Sequence, residues 1–339
     1  MKKVLILGGA GFIGFNIAKS LQKDSQNKIT IADNLSRGKM DDSLSNLLLN
    51  DNVDFVEGDF TIASEFKKLG TDYDYLYMLA AVVGVNNTLK KPSEIIRINT
   101  KLTINTLDWL SGKPVKKVIF TSTSENYSGT IDEFGYKVPT PEDVPLTIKD
   151  ISHPRFTYAV TKMLGESGFL NYSRKLGFEC TIVRYHNVYG PRMGFKHVIP
   201  HLAERFLLKK EDPFQMYGHT QTRSFCYIDD AVEGTINAAK YKESDGEIYH
   251  LGSSIEITIE DLIREAGSFF GFEGNYEEAP TFPGSTNRRC PDISKANAHF
   301  GFIANTDWKE ALHKTLDWYK EFFNNGKDIF ESSFEKPDV

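Results

Sequence analysis

Tyr158 and Lys162 stand four positions apart in Phe156-Thr157-Tyr158-Ala159-Val160-Thr161-Lys162, a spacing that puts both side chains on one face of a helix. A tyrosine hydroxyl with a pKa of about 10 is a poor base at neutral pH. A lysine ammonium and a bound nicotinamide cation nearby favour the phenolate and move it towards useful values. Thr123, just past an apolar strand-like run, adds a hydroxyl that completes a hydrogen-bond path to a substrate. Upstream, the chain opens with Gly8-Gly9-Ala10-Gly11-Phe12-Ile13-Gly14. Together, in this order, the two motifs predict a dinucleotide placed where a tyrosine can trade a proton with a substrate hydroxyl. The chemistry is redox chemistry on an alcohol.

The glycines sit in the context that such a site demands. Lys3–Leu7 is a short apolar run suited to a strand buried on both faces, and Phe12, Ile13, Ile17, Ala18 and Leu21 then recur at helical spacing. Strand, glycine turn and helix follow in order. Gly8, Gly11 and Gly14 let the backbone turn tightly and touch a pyrophosphate, while the helix opened by Phe12 and Ile13 offers it free N–H groups and a positive dipole end. A second strand, Lys28–Ala32, ends at Asp33, nineteen positions after Gly14. A carboxylate there accepts hydrogen bonds from ribose hydroxyls and repels a 2′-phosphate, which favours NAD over NADP. Arg37 and Lys39 nearby soften that preference.

Composition agrees with an enzyme. The 339 residues exceed one Rossmann unit and suit that unit plus a smaller lobe. A formal net charge of -6, with no block of Lys and Arg, offers nucleic acid no basic face. Cys180, Cys226 and Cys290 are scattered without metal-ligand spacing, and their odd number argues against a secreted disulfide framework. Neither a signal peptide nor an apolar stretch of membrane-spanning length is read in the chain. The expectation is a cytoplasmic protein with no metal and no membrane partner.

Strands and helices alternate along residues 1–190, the pattern of an α/β doubly wound parallel sheet. Val53–Phe60 reads as a strand with an acidic end, where Asp59 either hydrogen-bonds an adenine edge or caps a helix near Ala63. Tyr75–Ala81 is another strand, followed by small residues that let backbone approach the cofactor. A helix from Pro92 towards Leu110 holds Asn99 in its interior. Val118–Thr121 leads into Ser122-Thr123-Ser124-Glu125, and a loop over residues 137–155 precedes the Tyr158 helix. From 191 to 325 the character changes to aromatics and arginine-bearing loops, as in a smaller mixed α/β lobe for the substrate. Segments near 220–255 rejoin the first domain in one reading of the pattern. Residues 326–339 form a polar tail.

The chain resembles the extended short-chain dehydrogenase/reductases that modify nucleotide sugars, over roughly residues 3–322. The likeness rests on the glycine motif, Asp33-Asn34, Asp59, Leu79-Ala80-Ala81, Asn99-Thr100, Ser122–Glu125, Tyr158 with Lys162, Arg184–Arg192, Gln221–Asp229 and Arg288–Asp292. It implies tightly held NAD, hydride removal from C4 of a nucleotide-diphosphate sugar, and a 4-keto intermediate that is epimerised, dehydrated or decarboxylated before hydride returns. Tyr158 is then the base at the C4 hydroxyl, Lys162 binds the nicotinamide ribose, and Thr123 hydrogen-bonds the substrate. The cofactor set extends to Asn34, Asp59, Phe60, Ala80, Ala81, Asn99 and Ser122. Asn187 contacts the sugar phosphates, Arg223 and Arg289 grip the diphosphate, and Ser124, Glu125, His186 and Arg192 complete the substrate-binding set. Arginine is suited to bidentate phosphate contacts in any case. The helices around 93–110 and 158–176 correspond to the family's dimer interface, so a homodimer is implied.

Which reaction follows oxidation turns on Ser124-Glu125. Family dehydratases carry Thr-Asp-Glu, with the Asp as acid, and this chain has Ser124 in that place. Thr-Ser-Glu, with Pro154-Arg155-x-x-Tyr158, resembles UDP-glucuronate decarboxylases. Arg184-Tyr185-His186-Asn187 and Gln221-Thr222-Arg223-Ser224-Phe225 instead resemble GDP-mannose 3,5-epimerases. His186 is either an acid/base group or a core histidine satisfied by backbone. The three outcomes stay open, with epimerisation slightly ahead. A non-catalytic NAD(P) sensor of the same fold is the competing reading, against which stand the retained Tyr158 and Lys162.

Overall fold

The computed structural model describes residues 1–113, 115–195, 197–281 and 286–325. The tail read over 326–339 lies outside the described residues. Six parallel strands run in the order β3-β2-β1-β4-β5-β6: β1 (Lys2–Leu7), β2 (Asn27–Asp33), β3 (Val53–Glu57), β4 (Tyr75–Met78), β5 (Lys117–Thr123) and β6 (Glu179–Tyr185). A seventh, Ile248–Leu251, adds outside β6 in parallel. These strands are rich in branched and aromatic residues, and every residue of β5 is buried, as both faces are covered by helices. This is the doubly wound parallel sheet read from the alternation.

Helices cover the sheet. Phe12–Gln22 follows β1 and packs on Ile228–Lys240, while Pro92–Leu110 packs along Thr157–Leu176. Thr157–Leu176 stops at Gly177, whose φ of +81° gives the left-handed turn that ends many helices. Gly165 and Gly168 on this helix lie against Phe120 and Leu107, so small residues bring helix, strand and neighbouring helix close together. Two expected strands are shorter than their apolar runs. β3 ends at Glu57, where the Gly58 N–H makes the last rung to the Asp33 carbonyl, and β4 ends at Met78, where the Leu79 N–H makes the last rung to the Leu7 carbonyl and Ala80 doubles back onto the same oxygen.

After β6 the chain builds the second lobe and returns to the sheet with Ile228–Lys240 and Ile248–Leu251. The lobe is tied by small strand pairings. Thr222–Ser224 lies between Glu256–Thr258 and Arg288–Arg289, and Phe214–Tyr217 pairs with Tyr276–Ala279. Phe206 and Phe214 stack at 4.1 Å between ring centroids beneath Phe272 and Tyr276. Helix Ile259–Phe270 starts with a reciprocal cap between Thr258 and Asp261. Among the described residues no helix is long and apolar enough to cross a membrane.

Candidate active site

Strand order reverses between β1 and β4, and at that switch point sheets of this architecture bind their ligands. The cleft there has a volume of about 1120 Å³ and is walled by residues of both lobes. Gly8, directly after β1, has a φ of +82°, and a Cβ on it would lie 2.6 Å from the Ala80 nitrogen at the end of β4. Only glycine lets these two segments cross so closely. A Cβ on Gly14 would meet the Gly8 carbonyl at 2.4 Å, so the helix seats directly on the turn. No side chain caps helix Phe12–Gln22 at Gly11, and Gly11, Phe12, Ile13 and Gly14 all line the cleft. Its unpaired N–H groups and dipole make an anion site.

Asp33 accepts hydrogen bonds from the N–H groups of Ala10 at 3.0 Å and Leu35 at 2.8 Å, one on each carboxylate oxygen. Burial pushes its carboxyl up and these N–H groups pull it back. Each oxygen retains a lone pair for a ribose hydroxyl. Asn34 lies at the cleft's exposed rim. Asp59 accepts from Thr61 N–H at 3.0 Å, a tight turn of its own; it does not cap the helical turn at Ala63–Lys68, which is entered from Ile62. Asp59, Phe60, Ala80 and Ala81 also line the cleft. A cradle that a Cβ would fill, an uncapped helix end and a carboxylate closing β2 fit a dinucleotide.

At the other end of the cleft stand Tyr158, Lys162, Thr123, Ser124 and Glu125. Tyr158 lies in the first turn of helix Thr157–Leu176, and Lys162 one turn on. Lys162 Nζ donates to the Thr121 carbonyl at 2.7 Å and lies 6.0 Å from the Tyr158 ring centre. Burial lowers its ammonium to about 8, with Glu166 opposing. For Tyr158, burial dominates among the protein's own groups and pushes the phenol up; Arg37 lowers it and Glu125 raises it. Direct tuning of the phenol by the lysine, expected from spacing, is thus not visible in these contacts, because Lys162 faces the β5 carbonyl. Thr123 Oγ1 accepts the Glu125 N–H at 3.2 Å, which leaves its own proton to donate. Glu125 accepts from Arg289 Nη1 at 2.5 Å and pairs with Arg155 at 3.8 Å. Burial would raise its carboxyl, but the two guanidinium charges win and hold it below its ordinary value.

Several expected residues lie elsewhere. His186 is fully buried and does not line the cleft; Tyr127 Oη lies 3.0 Å from its Nε2, and burial with His250, Arg289 and Arg184 holds its ring well below its usual value. It is a core histidine, partnered by a side chain and not by backbone. Asn99 is also buried away from the cleft. Its amide brackets Val82, accepting that N–H at 2.8 Å and donating to its carbonyl at 3.1 Å and to Thr161 at 3.2 Å. It therefore positions the backbone beside the cleft. Arg192 lines the cleft but grips the first lobe: its guanidinium pairs with Asp41 at 2.6 Å, donates to the Ala10 carbonyl at 3.0 Å and covers the Phe15 ring at 4.3 Å. Arg223 lies outside the cleft wall, donating to the carbonyls of Thr222 and Asn287 and to Gln221. Asn187, at φ +40°, lines the cleft and donates to the Ser224 carbonyl at 2.9 Å. Ser122 lines it too, with its hydroxyl directed to Glu166.

Spacing also missed residues. Arg155 enters the cleft because Pro154–Phe156 forms a helical turn immediately before Tyr158; the Pro154-Arg155-x-x-Tyr158 pattern marks it in the sequence, without assigning it to the site. Arg37 and His197 meet at 3.4 Å across the lobes, and Trp318 and Phe322 line the far wall. Arg37 is marked in the sequence only as a charge near Asp33, and nothing local marks His197, Trp318 or Phe322 as different from core or surface positions.

Sheet order, glycine cradle and the Tyr–Lys pair define a dinucleotide-dependent enzyme of the Rossmann class. Residues 4–252 match the model of the NAD dependent epimerase/dehydratase family, and the chain belongs to that family. It is 35% identical to a UDP-N-acetyl-alpha-D-glucosaminuronate decarboxylase of Bacillus cytotoxicus, covering 96% of this chain and 99% of that one. Human dTDP-D-glucose 4,6-dehydratase is 30% identical over 97% of this chain and 93% of its own length. Among solved structures, the Bacillus cereus UDP-glucuronic acid 4-epimerase, in complex with UDP-glucuronic acid and NAD, superposes with a TM-score of 0.82 at 26% identity. That match covers 94% of this chain and 99% of the epimerase. The protein is an NAD-dependent enzyme of the nucleotide-sugar epimerase, decarboxylase and dehydratase group.

Proposed function

We propose that this enzyme oxidises C4 of a nucleoside-diphosphate hexuronate and releases the C6 carboxylate as carbon dioxide. The observation that carries this reading is Arg155. Its guanidinium stands in the turn before Tyr158 and reaches Glu125, so two arginines share one carboxylate at the reacting end of the cleft. That local excess of positive charge suits a substrate carboxylate, which a neutral hexose lacks. Ser124 gives no acid for expelling a C6 hydroxyl, and Glu125, held as the anion, is a poor proton donor. Dehydration is correspondingly disfavoured.

In this reading Gly8, Gly11, Phe12, Ile13 and Gly14 hold the NAD pyrophosphate, Asp33 and Asn34 the adenosine ribose, and Asp59 and Phe60 the adenine side. Ala80, Ala81 and the Ser122 backbone wall the nicotinamide end. When bound, NAD supplies the hydride acceptor and the positive ring that favours the phenolate. Tyr158 takes the C4 hydroxyl proton, Lys162 holds the nicotinamide ribose, and Thr123 donates to the C4 oxygen. The product of that step is a β-keto acid: C4 is a ketone and C5 bears the carboxylate. Breaking the C5–C6 bond leaves its electron pair on the C4 oxygen as an enolate, which Thr123 and Tyr158 stabilise by hydrogen bonding. A proton then adds at C5 and hydride returns to C4. Arg155 and Arg289 orient the carboxylate, and Asn187 faces the diphosphate.

C4 epimerisation is the second reading, supported by the solved epimerase that binds a uronate. Incubation with NAD and either UDP-glucuronate or its 2-acetamido counterpart, followed by mass spectrometry and proton NMR, separates the two. A product lighter by carbon dioxide is expected. Unchanged mass with altered ring couplings would favour epimerisation, and inertness towards both uronates would remove the uronate reading.

Assembly and location are proposed on weaker contacts of the fold. Ile96, Ile104 and Leu164 are exposed on the paired helices Pro92–Leu110 and Thr157–Leu176, and we read this face as a homodimer interface. The three cysteines are buried thiols, in keeping with a cytoplasmic setting.

A further inference from the structure

We propose that Glu166 is a positioning residue that locks the Thr123–Glu125 turn to the helix carrying Tyr158 and Lys162. Three donors converge on its Oε1: Ser122 Oγ at 2.5 Å, Asn126 Nδ2 at 2.8 Å and Arg184 Nε at 2.9 Å. Arg184 Nη2 takes the other oxygen at 2.8 Å. Ser122, Asn126, Glu166 and Arg184 are all buried. Ser122 and Asn126 are the two ends of the segment that carries Thr123, Ser124 and Glu125, and Asn126 also donates to Ser122 at 3.1 Å. Glu166 comes one helical turn after Lys162 and two after Tyr158, so all three share one face of the helix. One carboxylate therefore grips both ends of the turn from the element that bears the tyrosine and lysine.

Arg184 completes the device. It lies on β6, the neighbour of β5, in register with Ser122, so the ion pair bridges strand and helix across the turn. Its Nη1 donates to the Glu142 carbonyl at 3.1 Å, which fixes the arginine from the far side. A buried pair of this kind adds little net stability compared with apolar residues of equal volume, so a geometric role accounts for it better than a stabilising one. A lateral slip of the turn by about 1 Å would separate Thr123 and Glu125 from Tyr158, and misplacement of that size costs about a hundredfold in rate.

The test compares wild type with Glu166→Gln, which keeps the shape, and with the double variant Glu166→Leu/Arg184→Met, which removes both charges and avoids a lone buried arginine. Amide hydrogen exchange is read across the whole chain without substrate, and formation of reduced cofactor at 340 nm is followed with NAD and UDP-glucuronate. In the folded double variant, exchange over residues 122–127 is expected to rise about tenfold while β1, β4 and β6 keep their protection. The rate constant should fall about a hundredfold with KM within about twofold. Unchanged exchange in the turn, or a uniform rise over the sheet, would overturn the proposal. The kinetic arm rests on the uronate reading, and the exchange arm does not. If wild type is inert towards both UDP-glucuronate and its 2-acetamido counterpart, that reading falls and exchange alone decides the role of Glu166.

Discussion

At the scale of single residues, the site separates into groups that face the cleft and groups that hold them. Tyr158 faces it. Tyr158→Phe removes one oxygen from a half-buried position on the cleft and should leave NAD affinity intact while lowering the rate of cofactor reduction by about 10²–10⁴-fold, read at 340 nm. A loss below tenfold would remove Tyr158 from the proton transfer. Glu125→Gln is expected to spare that first half-reaction relative to product formation, since its anion sits with the arginines and not with Tyr158; quenched-flow product analysis against absorbance at 340 nm makes the comparison. Lys162 gives a pH signature. Burial lowers its ammonium from 10.5 to about 8 in the fold. Between these values the unfolded chain binds the proton more tightly, so folding stability gains as pH rises from about 8 to 10.5. Thermal melts should therefore show wild type gaining on Lys162→Met across that window, and a constant difference would contradict it. Several of these roles follow from short spacings: an i, i+4 pair or three glycines can be read without coordinates. His186 could not be resolved that way, because its burial depends on Tyr127 and His250, from remote parts of the chain.

At the scale of elements, the fold was legible wherever one segment carried its own signal. The glycine turn after β1 and the helices around 93–110 and 158–176 are legible in the sequence within a few residues of their ends. The runs to Phe60 and Ala81 overshoot their strands, because the sequence does not mark the last rung of each ladder, at Gly58 onto Asp33 and at Leu79 onto Leu7. The short strands of the second lobe carry two to four residues each and were read only as loops. Their pairing is set by distant segments, as with Arg288–Arg289 against Thr222–Ser224. The glycine turn yields the prediction at this scale. Gly14→Ala places a methyl 2.4 Å from the Gly8 carbonyl and must push the helix off the turn. A cost of about 1–3 kcal/mol in stability is expected, with weaker NAD binding by calorimetry. Wild-type affinity in a folded Gly14→Ala protein would show that the helix end does not hold the pyrophosphate.

For the whole molecule, two surfaces matter: the paired helices outside the sheet and the seam between lobes. Ile104→Glu with Leu164→Glu puts charge on the apolar face of the helices. If two copies meet there, light scattering on the eluting protein should show a dimer become a monomer, with the melting temperature lowered modestly. A wild-type monomer would end that reading. The seam has a different consequence. Arg192, from the second lobe, holds Asp41 and the Ala10 carbonyl, so the glycine turn proposed to hold the pyrophosphate is latched by the lobe proposed to take the substrate. In a cycle that lends a hydride and takes it back, a cofactor that wandered off halfway would strand both the oxidised sugar and the protein. We propose that this latch makes the coenzyme a resident and not a visitor. On that proposal the reaction would be independent of how oxidised or reduced the surrounding dinucleotide pool happens to be.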